Sequence, residues 1–302
     1  MPIWIPITIA AAFAQNLRFM LQKHLKATQL TTGGATFARF LFAAPMAVLM
    51  IVTMANLGWD VPQGSNRTWV FVITGGTAQI LATMLVVALF AERNFAVGIT
   101  LKKTETILTA IVGFIVLGEG LSLWAGIAIM VGILGVILLS DPPKLAGSSN
   151  WYKRVFNRAS AYGIGSGALF AVSATSYRGA SLSLNSGDFI IRAVFTLACV
   201  TTFQTIAMSI WLRLREPGEM TRVLQSWRVT FLVGLTGVLG SLGWFMAFTL
   251  QNAAYVKALG QIELVFTFAA SYLIFKERST WREIFGIGLV VVSILLLILV
   301  IS

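Results

Sequence analysis

The chain has 302 residues, of which 57% are hydrophobic and only 11% are charged. Soluble domains average roughly 45–50% apolar and about 25% charged residues, so this composition excludes a soluble globular protein. The formal charge of +11 would suggest nucleic-acid binding only in a soluble chain; here it indicates basic loops that face an anionic membrane surface. No nucleic-acid partner is expected.

An all-α polytopic membrane protein with ten transmembrane helices is predicted, because apolar runs of about 20 residues are needed to cross a bilayer core of roughly 30 Å. The predicted helices are 4–22, 33–55, 68–91, 94–117, 121–139, 158–179, 187–212, 227–250, 253–275 and 281–301. The connection 141–157 contains Asp-Pro-Pro and Gly-Ser-Ser-Asn, which break helices. It therefore joins two five-helix units, 1–140 and 158–302, within a single membrane domain, 1–302.

The two units repeat one another in sequence, most clearly where the charged stretch 101–119 aligns with 259–277. The matching residues are Leu101 with Leu259, Glu105 with Glu263, Thr109 with Thr267, Glu119 with Glu277, Gly34 with Gly187, Arg39 with Arg192, and Phe42 with Phe195. Because each unit has an odd number of helices, the second enters the membrane in the opposite sense. Such inverted-topology repeats occur mainly in transporters and place a substrate site between the units near the bilayer midplane.

The distribution of lysine and arginine predicts the orientation. These residues concentrate in the odd-numbered connections, whereas the even-numbered ones hold Arg67 and Arg178. Since basic loops stay on the cytoplasmic side, the odd connections are expected in the cytoplasm. The chain is then a multi-pass protein of the cell inner membrane, with both termini on the non-cytoplasmic side. The first helix lacks a basic region before it and a cleavage pattern after it, so we expect it to be retained.

Three charged residues, Lys102, Lys103 and Glu105, fall near the middle of the predicted fourth helix. An ionisable group at that depth costs about 2.5 to more than 10 kcal/mol, so it usually faces a cavity or a partner. One interpretation is an internal Lys102–Glu105 pair three residues apart, which would neutralise both groups without binding anything. The other is that these side chains line a cavity.

The second unit keeps the acid as Glu263, and Lys257 with Gln261 lies near it in the sequence. Glu105 and Glu263 are therefore candidates to bind a proton or a substrate ammonium group. The alternative is a hydrogen bond between packed helices. Glu119 is expected at a solvated helix end, in a mainly structural role.

Arginines and amides extend the candidate cavity. A guanidinium at Arg39 or Arg192 can hold a carboxylate through two hydrogen bonds, or it can snorkel to the interface. In the first helix, Gln15, Asn16 and Arg18 interrupt an apolar run. A polar stripe of this kind fits a cavity wall, although polar contacts between helices would look the same.

Trp244 is the one tryptophan placed well inside a predicted helix, beside glycines at short intervals. It could stack on an apolar or aromatic ligand, or simply pack in the core. With one histidine, His24, and one cysteine, Cys199, a metal site is not expected. No phosphate loop, nucleophile elbow or dinucleotide fingerprint is present, so neither an enzyme nor a bound cofactor is predicted.

These features together resemble an EamA-type, ten-helix member of the drug/metabolite transporter superfamily. The resemblance covers nearly the whole chain and is carried by Arg39 and Arg192, by Glu105 and Glu263, and by the acids at the ends of the fourth and ninth helices. It implies secondary transport of small molecules, most often export of amino acids, other metabolites or drugs. Family members often carry proline after the fourth-helix acid, whereas Thr106 stands here.

The sequence therefore predicts a secondary transporter that works by alternating access around a central cavity. Export of small amphipathic metabolites, with apolar amino acids first, is the leading hypothesis, and protons are candidate co-ligands. Exchange of an organic anion or sugar phosphate, or drug export, is the alternative. A membrane-embedded enzyme or a scaffold is disfavoured, because no reactive cluster is visible and a scaffold has no need for charged, inverted repeats.

Overall fold

The computed structural model describes residues 1–28, 30–90, 102–139, 158–185, 187–266 and 281–301. Within these ranges the regular structure is helical and contains no strand. The α-helices are α1 (Trp4–Thr28), α2 (Thr32–Asn56), α3 (Asn66–Leu89), α4 (Glu105–Leu117), α5 (Leu123–Leu139), α6 (Arg158–Leu182), α7 (Phe189–Arg215), α8 (Glu219–Gln225), α9 (Trp227–Leu250), α10 (Ala253–Leu259) and α11 (Trp281–Ile301). The all-helical prediction is confirmed for these residues.

Local sequence signals fix several of the helix ends. The side chains of Thr31, Ser65 and Asp188 accept hydrogen bonds from backbone N–H groups in the first turns of α2, α3 and α7. Gly118 ends α4 in a left-handed conformation, with φ of 70°, which glycine adopts without strain. The short helix α8 was not predicted. It lies between α7 and α9 and packs on α2.

Among the described helices, four are long and apolar enough to cross a membrane, namely α2, α3, α7 and α9. Three shorter apolar helices cover Glu105–Leu117, Leu123–Val136 and Ile284–Val300. The long helices α1 and α6 are more polar, because α1 carries basic residues and α6 is rich in serine, threonine and glycine. Buried members of α6 include Ser166, Ser173 and Ser176. Since these polar groups face protein, α6 belongs to the interior of the bundle.

The helices of the two predicted units interleave. The most extensive packing among the described helices joins α3 to α6, α5 to α11, α1 to α9 and α2 to α7. In each unit, therefore, the first helix packs on the third helix of the other unit. Two units related by a pseudo-two-fold axis would pack in this way, which supports the inverted repeat. The repeat and the count of ten helices stay predictions, and the connection 141–157 lies outside the described residues.

The close packing of α9 depends on its glycines. A Cβ atom on Gly243 would lie 2.8 Å from the Cβ of Ala11 in α1, and one on Gly234 would lie 2.5 Å from the Cβ of Phe42 in α2. These distances are below van der Waals contact, so glycine is needed where α9 crosses its neighbours. The crossing brings α1, α2 and α9 together around the centre of the molecule, where the charged residues lie.

Candidate functional site

The charged stretches of both units lie at breaks in their helices. Residues 103–104 form a turn before α4, which begins at Glu105. In the second unit α10 ends at Leu259, and a 3₁₀ helix, Gly260–Ile262, leads to Glu263. The two breaks occupy matching positions of the sequence repeat. Continuous helices over 94–117 and 253–275 were predicted, so the prediction is wrong at these points; residues 94–101 and 267–275 lie outside the described residues.

Each acid pairs with side chains of the other unit. The two carboxylate oxygens of Glu105 lie 3.9 Å from Lys102 Nζ and 3.8 Å from Lys257 Nζ. Glu263 forms an ion pair with Lys103 and accepts a hydrogen bond of 3.0 Å from Gln15 Nε2. The predicted Lys102–Glu105 pair is thus one part of a larger cluster. The network joins α1, α4 and α10 across the two units.

The partners of the second-unit residues differ from those suggested by their spacing in the sequence. Lys257 lies against Glu105 of the first unit instead of Glu263. The amide of Gln261 donates a hydrogen bond of 3.2 Å to Thr106 Oγ1. Sequence spacing along one helix cannot reveal such contacts, because the helix breaks between these residues.

The charged cluster is shielded from solvent. Its five residues, Lys102, Lys103, Glu105, Lys257 and Glu263, are each exposed by 9% or less. Ionised groups buried in this way are stable only when they are paired and hydrogen-bonded. Within the cluster, each charge is therefore stabilised by opposite charges in place of water. The lysines do not snorkel to a membrane surface.

Aromatic rings surround the two lysines that share Glu105. Lys257 Nζ lies 4.8 Å from the ring centroid of Trp244, 5.7 Å from that of Phe170 and 5.8 Å from that of Phe248. Lys102 Nζ lies 5.1 Å from the Phe170 centroid. At such distances the negative face of a ring attracts a cation. Lys257 is held by a cage of three rings as well as by a carboxylate.

Two arginines extend the positive charge. Arg39 donates hydrogen bonds of 3.1 Å to Thr83 Oγ1 and 3.2 Å to Ser241 Oγ, and it is only 4% exposed, which rules out snorkelling. Arg18 is buried as well, with 2% of its surface exposed. Its Nη1 atom has no hydrogen-bond partner among the described residues. The interior thus holds a guanidinium with an unused donor.

A polar relay that the sequence did not suggest lies beside this cluster. The hydroxyl of Tyr177 in α6 lies 3.0 Å from the backbone oxygen of Gly75 and 2.9 Å from Gln79 Oε1, and it donates its one hydrogen to either acceptor. Gln204 in α7 donates to the same Gln79 oxygen at 2.9 Å. The signal that could have identified Tyr177 is the polar character of α6, which is unusual for a lipid-facing helix.

Two cavities flank the cluster. The larger, of about 290 Å³, extends from the charged residues toward Lys23 and Phe90, near the C-terminal ends of α1 and α3. It is lined by Asn16, Phe19, Met20, Lys23, Val86, Phe90, Lys102, Lys103, Glu263 and Leu264. The smaller, of about 20 Å³, lies between Lys257, Trp244, Gln15 and the polar relay. Only the larger cavity has room for a solute, and its walls combine apolar surface with both charge signs.

At the opposite end of the bundle, side chains tie the helices together. Arg178 Nε donates to Glu119 Oε1 at 2.5 Å, and its Nη1 donates to the backbone oxygens of Phe248 and Gln251 at 2.5 and 2.7 Å. Glu119 was expected to be a structural residue at a helix end, and it anchors this contact. One arginine thus links α6, the C-terminal end of α9 and the segment after α4.

Nine of the ten candidate residues lie in or beside the cluster, and Arg192 does not. It lies in the first turn of α7, where its Nε donates to the backbone oxygen of Gly187 at 2.9 Å. The predicted helix 187–212 placed it in the second turn. Because α7 begins at Phe189, Arg192 stays near the end of the bundle. Sequence reasoning missed Lys103 as a partner of Glu263, and it missed Phe170 as a wall of the lysine cage.

The central site therefore holds five buried cations, Arg18, Arg39, Lys102, Lys103 and Lys257, and two buried acids, Glu105 and Glu263. This surplus of positive charge suits a ligand that carries a carboxylate or another anionic group. No group of three or more histidine, cysteine, aspartate or glutamate residues able to hold a metal occurs in the described ranges.

Comparison with known proteins gives a family match over part of the chain and a shared fold. Residues 158–299 match the family described as the EamA-like transporter family, which confirms the resemblance seen in the sequence over this part of the chain. The chain is similar to human solute carrier family 35 member G1, with 24% identity over 261 residues, 82% of this chain and 66% of the human protein. The chain therefore spans just under two thirds of that relative's length.

A solved crystal structure shares the fold. Its TM-score is 0.73 and its sequence identity is 11%, over 98% of this chain and 96% of that chain. At this identity the likeness establishes the fold alone. The apolar helices and the family match together identify a multi-pass membrane protein.

Proposed function

We propose that this chain, whose residues 158–299 match the EamA-like transporter family, is a secondary transporter of small solutes that carry a carboxylate or another anionic group. The observation that supports it most strongly is the ion-pair cluster beside the cavity of about 290 Å³. The cluster lies at two helix breaks in matching positions of the repeat. In transporters, broken helices at the repeat interface form the sites for substrates and coupling ions.

Amino acids with apolar side chains are the first candidate substrates. Lys102 and Lys103, which line the cavity, can donate hydrogen bonds to the carboxylate, and Glu263 in the same cavity can accept hydrogen bonds from the ammonium group. Phe19, Val86 and Leu264 offer apolar walls in the same cavity. A volume of about 290 Å³ is close to the lower end of the roughly 300–1,000 Å³ typical of ligand pockets, which favours a small metabolite over a large drug.

An organic anion is the second candidate, because both acids are already engaged by lysines. Five buried cations against two acids leave positive charge that a carboxylate or phosphate could neutralise without displacing any existing pair. Lys102 and Lys103 line the cavity directly. A sugar phosphate or a carboxylic acid without an amino group would fit this arrangement.

Transport by alternating access requires that the two ends of the molecule open in turn. The cavity lies toward one end, and the Arg178 contacts tie the helices at the other. If basic loops mark the cytoplasmic side, the cavity lies toward the cytoplasm, in a position to load solute for export. In this proposal the protein resides in the cell inner membrane, with both termini on the non-cytoplasmic side.

The test is transport of labelled solutes in proteoliposomes of known orientation, with and without an imposed pH gradient. Apolar amino acids, their deaminated acids and a sugar phosphate form the panel. If amino acids are transported and the deaminated acids do not inhibit that transport, the first candidate is supported. If only the deaminated acids or the sugar phosphate are transported, the second candidate is supported. A double variant, Lys102→Met/Lys103→Met, removes two cavity cations and should abolish either flux. No flux of any panel member above empty liposomes would contradict the proposal.

A further inference from the structure

The aromatic cage around Lys257 has the composition of a site for ammonium ligands. Trp244, Phe170 and Phe248 each present a ring within 5.8 Å of Lys257 Nζ, and Glu105 lies 3.8 Å away. Rings and a carboxylate of this kind recognise organic ammonium ions in many proteins. Here the occupant is the protein's own side chain.

The cage is closely packed, whereas its occupant is a side chain with four rotatable bonds. Gly260 backs the Trp244 ring so closely that a Cβ atom there would lie 2.5 Å from the ring. Trp244 and Phe248 also stack on each other, with centroids 5.8 Å apart. Lysine, by contrast, carries its charge on a flexible four-carbon stem. Only about 20 Å³ of space remains beside it, so the cage can admit a ligand only if Lys257 leaves.

One further group in the cage lacks a partner. Trp244 Nε1 is buried and forms no hydrogen bond with any described residue. A buried donor without a partner costs free energy unless a ligand or water satisfies it. This observation is independent of the lysine. Because an ammonium group cannot accept a hydrogen bond, the acceptor for this N–H would be a water molecule or the carboxylate of the entering solute.

We propose that the cage formed by Phe170, Trp244 and Phe248 is the subsite for a substrate ammonium group, and that Lys257 occupies it as a tethered substitute. The inference rests on the proposed transport of zwitterionic solutes. When such a solute enters, its ammonium group takes the rings and Glu105, while the Lys257 ammonium moves to the solute carboxylate. The number of charges is unchanged, because each cation exchanges one partner for another. A solute that lacks either group cannot complete the exchange.

The test uses n-propylammonium, which contains the three carbons and the nitrogen that the change Lys257→Ala removes. Purified variants in detergent are heated with and without the probe, and the melting temperature is followed. We expect n-propylammonium to raise the melting temperature of Lys257→Ala with an apparent affinity roughly tenfold better than for the wild type. Neutral 1-propanol serves as the shape control and should give no comparable shift.

Two further variants test the cage itself. In Lys257→Ala/Trp244→Leu the response to n-propylammonium should disappear, and in Lys257→Met, whose side chain still fills the cage, it should be absent. If Lys257→Ala does not fold, Lys257→Ser removes the same ammonium group and takes its place. A folded Lys257→Ala that responds equally to n-propylammonium and 1-propanol would overturn the proposal.

The same melting-temperature measurement on the wild-type protein tests the proposal without a variant. Leucine should stabilise it, whereas n-propylammonium should not, because the amine offers no carboxylate to receive Lys257. Stabilisation of the wild type by n-propylammonium as strong as that by leucine would also overturn the proposal. If leucine has no effect but Lys257→Ala still binds n-propylammonium, the proposed amino-acid substrate fails and the ammonium cage stands.

Discussion

At the scale of single residues, the pair of Glu263 and Lys103 is the sharpest test of the charged cluster. Glu263→Gln keeps the shape of the side chain and leaves Lys103, 4% exposed, without its counter-charge. Breaking a buried ion pair in this way costs about 3–5 kcal/mol. We expect a clear loss of thermal stability in detergent, measured by the fraction of protein that stays monodisperse after heating.

The double variant Glu263→Gln/Lys103→Met separates charge from packing. Replacing both partners of a buried pair by neutral groups is often close to neutral for stability, so the double variant should recover most of the loss. Equal stability of Glu263→Gln and the wild type would show that the pair does not hold α1, α4 and the break after α10 together.

At the scale of helices, the fit of α9 against α1 should depend on Gly243. Gly243→Ala places a Cβ atom 2.8 Å from that of Ala11, and overpacking of this kind costs roughly 1–3 kcal/mol. Gly288→Ala is the matched control, since a Cβ atom there meets no other described atom within 4 Å. It should be neutral or slightly stabilising. A thermal stability of Gly243→Ala equal to that of Gly288→Ala would contradict the contact.

The helices themselves follow from the sequence, because apolar runs of this length have few alternatives in a membrane. The breaks at residues 103–104 and 260–262 do not, since neither contains proline and both lie in runs that read as continuous helix. The sequence showed only that charged residues lie near the middle of the predicted membrane helices at these points. Such charges require oppositely charged or hydrogen-bonding neighbours, but the sequence does not identify those neighbours.

The identity of those partners depends on how the units interleave. Lys257 and Glu105 are far apart in the sequence and meet because α10 packs against α4. The same holds for Gln15 and Glu263. Aromatic side chains add a second difficulty, because a phenylalanine such as Phe170 reads as ordinary core or lipid-facing residue until its neighbour is known to be a lysine.

At the scale of the whole molecule, the contacts of Arg178 should control access from the end of the bundle opposite the larger cavity. Arg178→Gln removes the charge-assisted bonds to Glu119 and to two backbone oxygens. We expect modification of Ser173→Cys, in a Cys199→Ser background, by a membrane-impermeant thiol reagent to become roughly tenfold faster, as a bias of about 1.4 kcal/mol is lost.

Arg67→Gln is the control for that measurement. Arg67 lies near the same end of the bundle and is exposed, with its guanidinium 5.6 Å from the Phe71 ring centroid. Its removal should leave the labelling rate unchanged. If Arg178→Gln and Arg67→Gln label at the same rate as the parent, Arg178 does not keep this end closed.

The exchange of ionic partners between the two units also bears on biosynthesis. As the ribosome delivers the first unit to the membrane, Lys103 lacks Glu263 and Glu105 lacks Lys257, because both partners are still untranslated. Until the second unit is synthesised, the first unit therefore lies in the bilayer with charges that are not fully neutralised. Supplied as two separate polypeptides, the halves would have to be made in equal amounts, and an excess of either would be a substrate for membrane proteolysis.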